Sequence, residues 1–483
     1  MIRITLLTLL ISYLSVYAWK DWFRGACWLV LLISVFQHPD MPKSIAGISG
    51  FNHWNFLFIN VFMSWLCGRK KDNISWDMPS KINILLCLYF IFIFISVLRY
   101  FADIEGISLY LSGDSGGMYT VNEYLINCVK WVIPSMIIFD GCRSRQQYNF
   151  ALMTLVLMFF LLALQVIQAM KFGSLTMSGE ALQRKALKVI SNNIGFHRVN
   201  MSMMMSGAFW AIFCLKEYVS SKTYLFLIIP ACFAILLAIA MTGGRVGYVT
   251  WLVLGAIICS MKWRKYLLFA PIVLFSIMLA APSALERISQ GILKNNSGVI
   301  KTFTDIDFAG GQVDTHSMTS GRTLVWPLVW ESILDEPLIG HGRRSMIRLG
   351  ITRQIIERHG VGEVFPHPHN AYLQWVQDNG FVGAVPVFLF YFIVLKYSWS
   401  LFREKVENIY IVTGGVCFSF VAAFLLASIG SQTFYPREGA VGMWVAITLM
   451  LRVYVERDRV NSNDKSELIC PSEAVHHRFF VKM

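Results

Sequence analysis

Apolar runs of about eighteen residues or more recur along almost the whole chain, and this constrains the fold more than any other feature. A run of that length can cross a bilayer as a helix, which satisfies every backbone hydrogen bond within itself. Length then counts spans rather than globular domains. Candidate spans fall at 3–18, 22–37, 50–67, 82–99, 121–140, 149–170, 199–217, 222–241, 245–261, 265–282, 371–396, 408–430 and 438–454. The first two are short enough to form a shallow hairpin, so the expected fold is all-α, with about 12 (12–13) transmembrane helices and one large helical loop. The apolar N-terminus lacks a small-x-small cleavage site, so a retained first helix is expected.

Charge sets the expected orientation. The chain carries a net +13, but its Lys and Arg residues sit mostly in short connectors rather than in a basic block, which argues against nucleic acid. Arg69-Lys-Lys71, Arg143 with Arg145, Lys216 with Lys222, Lys262 to Lys265, and Arg403 with Lys405 occupy every second connector. By the positive-inside rule these face the cytoplasm. The alternate connectors, 100–120, 171–198, 242–245 and 431–437, then face outward, as does segment 283–370. The expected organisation is an N-terminal membrane part (1–282), a large outer loop (283–370), three C-terminal spans (371–454) and a cytoplasmic tail (455–483). Ten cysteines occur without a CxxC pair, and most lie inside apolar runs, where Cys acts as a small hydrophobe.

The outer loop holds nine basic and nine acidic residues and five of the ten histidines. Within it, 321–338 has helical periodicity and reads as an amphipathic helix on the membrane face, ended by Pro337 and Gly340-His-Gly342.

Three places carry the candidate chemistry. Arg245, in Thr242-Gly-Gly-Arg245, lies on the outward side against the positive-inside bias. The glycines allow a tight turn whose N–H groups could approach an anion, beside the positive end of a helix dipole. Arg322 stands in the first turn of the loop helix, after Ser320 as expected N-cap, where a cation opposes the dipole. Arg343 and Arg344 are weaker versions of that signal. The third place is Pro366-His-Pro-His-Asn370, which cannot be helical. Asn370 is the expected cap of a helix from Ala371. His367 and His369 lack the Cys or His-x3-His partners that zinc prefers. A plain polar helix entrance stays open, and a general base is the favoured reading.

In this order the three pieces resemble the O-antigen ligase family. The resemblance rests on Thr242-Gly-Gly-Arg245, on Gly321-Arg-Thr-Leu-Val-Trp-Pro to Gly340, and on His369-Asn-Ala-Tyr-Leu-Gln-Trp-Val-Gln-Asp-Asn-Gly380. It covers roughly 190–400; the N-terminal third and the basic tail depart from it. It implies a GT-C type glycosyltransferase of the bacterial inner membrane, acting at the periplasmic face on a polyprenyl-diphosphate-linked glycan, with no cofactor and no metal. His369, Arg245 and Arg322 would be catalytic. His367, Arg343, Arg344, Asn370, Tyr372 and Trp326 would bind substrate, with Trp251 a further interfacial or sugar-stacking aromatic.

Three acceptors fit: lipid A-core, a growing glycan in a polymerase, or a protein hydroxyl. The first ranks highest. A polysaccharide flippase would need ionisable groups in discontinuous mid-membrane helices, and the span interiors read as nearly free of them. A purely structural role gives no reason for an outward Arg beside two glycines.

Overall fold

The computed structural model describes residues 2–42, 44–45, 48–102, 121–269, 272, 282, 322–359, 367–430 and 433–467. Apart from a two-residue pairing of Ser44–Ile45 with Ile48–Ser49, its regular elements are helical. Seven described helices are long and apolar enough to cross a membrane: Ser80–Phe101, Arg145–Met170, Ser221–Thr242, Arg245–Lys262, Ala371–Phe402, Asn408–Ser428 and Glu438–Val460. The chain is therefore an all-α polytopic membrane protein. The expected span at 265–282 falls mostly outside the described residues, as does about half of the loop from 283.

Two shorter apolar helices, Ile2–Lys20 and Trp22–Leu31, meet at Asp21, whose carboxylate caps the second. Gly25 packs against Ala18 and Val61, so the pair docks as a hairpin on His53–Lys71. The connector 171–198 holds a helix not anticipated from sequence, Gly179–Asn193. It buries Leu182, Ala186 and Ile190 on one face. A Cβ on Gly243 would lie 3.4 Å from Leu182, so this helix covers the Thr242–Arg245 turn.

The basic connectors gather at one end. Arg69, Arg143, Arg452 and Arg459 meet Asp77 and Asp140 there. Arg145 reaches Tyr218, and Lys262 reaches the Phe402 carbonyl. The histidine segment 367–370 lies at the opposite end.

The Ala371–Phe402 helix is broken at Gly380, which has φ +66 and ψ −177. A break inside a span frees backbone groups that lipid cannot satisfy. Segment 337–342 satisfies them. The N–H groups of His341 and Gly342 donate to the carbonyls of Gln377 (2.8 Å) and Asp378 (2.7 Å). Those of Phe381 and Val382 donate to Pro337 (2.8 Å) and Leu338 (3.1 Å). A side chain at Gly380 would strike the Leu338 carbonyl, and one at Gly340, also at positive φ, would strike Gly380. Arg99 clamps the same segment through the carbonyls of Ile339 and Gly340 and the Glu336 carboxylate.

The loop helix runs Arg322–Asp335 and stops before Pro337. Val325, Val329 and Ile333 are buried, and the helix packs on Ala371–Phe402. On its other side Trp330 and Leu334 are exposed and apolar, as are Leu338 and Ile339 beyond it, with the charged Glu331 and Asp335 between them. Exposed apolar side chains there suit contact with lipid rather than water.

Candidate active site

The Thr242–Arg245 turn is built by close approach of helices. Gly243 takes φ +63 and ends one helix; Arg245 begins the next. Ser202 Oγ donates to the Gly244 carbonyl (3.2 Å) and Ser206 Oγ to that of Gly247 (2.8 Å). A Cβ on Gly244 would lie 2.7 Å from Ser202 Oγ. The Gly244 N–H donates to Thr242 Oγ1 (3.3 Å), and Arg198 holds the Gly243 carbonyl (3.1 Å). The second glycine thus admits Ser202, and its N–H is not aimed outward as an anion nest requires. Arg245 is half-buried at the first helical position.

At the other helix entrance, Asn370 Oδ1 accepts the N–H groups of Tyr372 (3.0 Å) and Leu373 (3.2 Å), the expected cap. His369 sits at φ +50. Its N–H donates to His367 Nδ1 (3.3 Å), and the two rings lie 4.3 Å apart, edge to face. Trp326 Nε1 donates to the Pro368 carbonyl (2.9 Å), pinning this segment to the loop helix. The Tyr372 hydroxyl donates to the Leu425 carbonyl (3.0 Å).

Three residues expected to bind substrate therefore have polar atoms engaged in the fold: Asn370, Tyr372 and Trp326. Trp251 is likewise a core residue, 9% exposed and packed on Phe209 and Trp210, which corrects its reading as an interfacial aromatic. Arg322 opens the loop helix, but its side chain and the proposed cap Ser320 lie outside the described residues.

Arg343 also departs from expectation. It is 3% exposed, paired with Asp378 (3.3 Å) and stacked 3.5 Å over the Tyr435 ring. Asp378 accepts from Ser345 Oγ (2.7 Å) and from the Tyr435 hydroxyl (2.9 Å) as well. This pair braces the helix break from inside. Arg344, at φ 58, lies 5.2 Å from the Tyr124 ring centre. The view that span interiors are nearly free of ionisable groups needs the same correction. Asp378 lies at a discontinuity, and Lys130 lies within the expected 121–140 span, which folds as short helices, against Trp54 and Trp131. Asp378 accepts from three internal donors, Arg343, Ser345 and Tyr435.

A cleft opens beside the histidines, lined by Asn200, His367, Gln374, Thr433, Tyr435 and Arg437 among others. Burial, and then the neighbouring His369, Arg437, Arg343 and His197, push the His367 imidazole down to about 3, so it is neutral. His197 caps the Arg198–Cys214 helix through Nδ1, and burial and Arg198 lower it too. Sequence reasoning missed Arg437, Arg198 and His197. The signal was available: Arg198 and Arg437 break the positive-inside pattern just as Arg245 does.

Residues 230–388 match the family model described as O-Antigen ligase. No curated protein matches the chain. The matched segment contains the Thr242–Arg245 turn, the loop helix and the His367–Asn370 entrance, and stops short of Arg437. Through that segment, about a third of its length, the chain is similar to the O-antigen ligase family, a family of membrane glycosyltransferases.

Proposed function

We propose that the chain transfers a glycan from a polyprenyl (undecaprenyl) diphosphate carrier to an acceptor hydroxyl at the periplasmic face of the bacterial inner membrane, the acceptor being lipid A-core. His369 acts as general base, taking the proton as the acceptor oxygen attacks the anomeric carbon. The new C–O bond forms as the bond to the diphosphate breaks, and the electron pair leaves with that diphosphate. In-line attack inverts the anomeric centre. Arg245 and Arg322 stabilise the leaving charge through planar, bidentate donors, so guanidinium groups do the work a metal ion does elsewhere.

One observation carries this reading: the family match spans both the outward arginine turn and the histidine entrance, and a polar cleft adjoins the latter. The orientation is supported by the basic end, which the positive-inside rule assigns to the cytoplasm. Mass spectrometry of glycoconjugates from a deletion strain tests the acceptor. Loss of capped lipopolysaccharide is expected. Shortened polymer chains or unglycosylated protein would instead assign a polymerase or a protein O-oligosaccharyltransferase of the same superfamily.

A further inference from the structure

We infer that His367 is a positioning residue for His369: its Nδ1 receives the His369 N–H and fixes the left-handed backbone that presents the His369 imidazole. The inference rests on the reading of His369 as base and adds to it a device for holding that base.

A non-glycine residue in the left-handed region needs local support. His369 has three supports in a row. His367 Nδ1 takes its N–H at 3.3 Å, Trp326 takes the preceding Pro368 carbonyl at 2.9 Å, and Asn370 caps the helix that follows. A side-chain acceptor bonded to the N–H two residues on is the geometry of an Asx turn, here made by an imidazole. The chain uses the device elsewhere: His197 Nδ1 receives the Val199 N–H (3.4 Å) and His38 Nδ1 that of Asp40 (3.2 Å).

The protonation state follows from the bond. An accepting Nδ1 carries no proton, so neutral His367 holds its proton on Nε2 and is a donor, not a base. That leaves proton abstraction to His369. Among the described residues, the charged groups that act most on His367 are His369, Arg437, Arg343 and His197. None is a carboxylate, so nothing in that set favours a second proton, which would set two N–H groups against each other.

Asparagine places Oδ1 where histidine places Nδ1, so His367→Asn keeps the turn and His367→Ala removes it. The full-length chain in detergent is assayed for release of polyprenyl diphosphate, using lipid-linked glycan extracted from cells that lack this protein. His367→Ala is expected to lose about 10²-fold, the typical cost of a small misplacement of a catalytic group, and His367→Asn to recover most of it. Amide exchange of His369 is followed in the same samples without substrate. Protection is expected in wild type and His367→Asn and its loss in His367→Ala. Equal protection in all three, or an Asn variant as inactive as the Ala variant, overturns the proposal. A His369→Ala variant with wild-type release would overturn the base assignment instead, whatever the exchange shows.

Discussion

The two ends of the helix bundle differ in how completely their arginines are matched by carboxylates. At the Asp77 end the guanidinium groups are matched to carboxylates. Asp77 receives Arg143 (2.9 Å), Arg452 (2.7 Å) and Arg459 (2.6 Å), and Asp140 receives Arg69 (2.7 Å). Burial alone would raise the Asp77 carboxyl, but Arg452, then Arg143 and Arg459, hold it at about 2. At the histidine end Arg343 and Arg99 are also paired, with Asp378 and Glu336, but Arg198 binds a backbone carbonyl and Arg437 lines the cleft without an ion pair among the described residues. A closed ion network stabilises a fold, whereas a cation that lines a cleft, as Arg437 does, is suited to meeting an anion. Variants at the two ends should therefore fail in different ways.

The largest effect is expected from His369→Ala, which removes the proposed base and should lower release of polyprenyl diphosphate by about 10²–10⁴-fold with the thermal midpoint unchanged. Asp77→Ala inverts that pattern. It strips the buried Arg452 of its main partner and should destabilise the protein by about 3–5 kcal/mol in thermal or denaturant unfolding, while turnover per folded molecule holds. A normal melt with lost turnover would erase the distinction between the ends. Arg245→Ala should cost about 10²–10³-fold in kcat, and steady-state kinetics would expose a loss confined to KM as simple ground-state binding.

Near neutral pH the smallest effect is that of pH itself. Because the folded His367 titrates near 3, below its unfolded value of about 6.5, the unfolded segment binds more protons as pH falls. The docked entrance is fully stable above about 6.5 and loses stability progressively toward 3, by at most tenfold per pH unit. Exchange at His369, corrected for intrinsic rate, reads this directly, and His367→Asn should flatten it.

Local rules carried much of this site. Thr242-Gly-Gly-Arg245 was legible because a turn between two spans needs a positive φ, and Gly243 supplies it. Asn370 was legible because an amide before an apolar helix has few other uses. The break at Gly380 was not, since its stability comes from segment 337–342, forty residues distant in sequence. A hint existed: Gln377-Asp-Asn-Gly380 puts three polar residues in succession inside a span, which lipid would not tolerate unless they faced protein. Arg343 misled for the same reason. Its buried partner Asp378 belongs to another element, so an exposed arginine and a paired one look alike in sequence. Helix 179–193 was missed because a short polar-faced helix resembles a connector when only hydrophobic length is counted.

The most direct test of glycan transfer at the histidine end is a stoichiometric one. Purified full-length protein is given polyprenyl-diphosphate-linked glycan with and without lipid A-core, and free polyprenyl diphosphate is counted against capped product. One diphosphate released for each glycan joined to lipid A-core, dependent on acceptor and abolished in His369→Ala, is the result predicted. Capped product that forms without diphosphate release, or release that His369→Ala leaves intact, would contradict it.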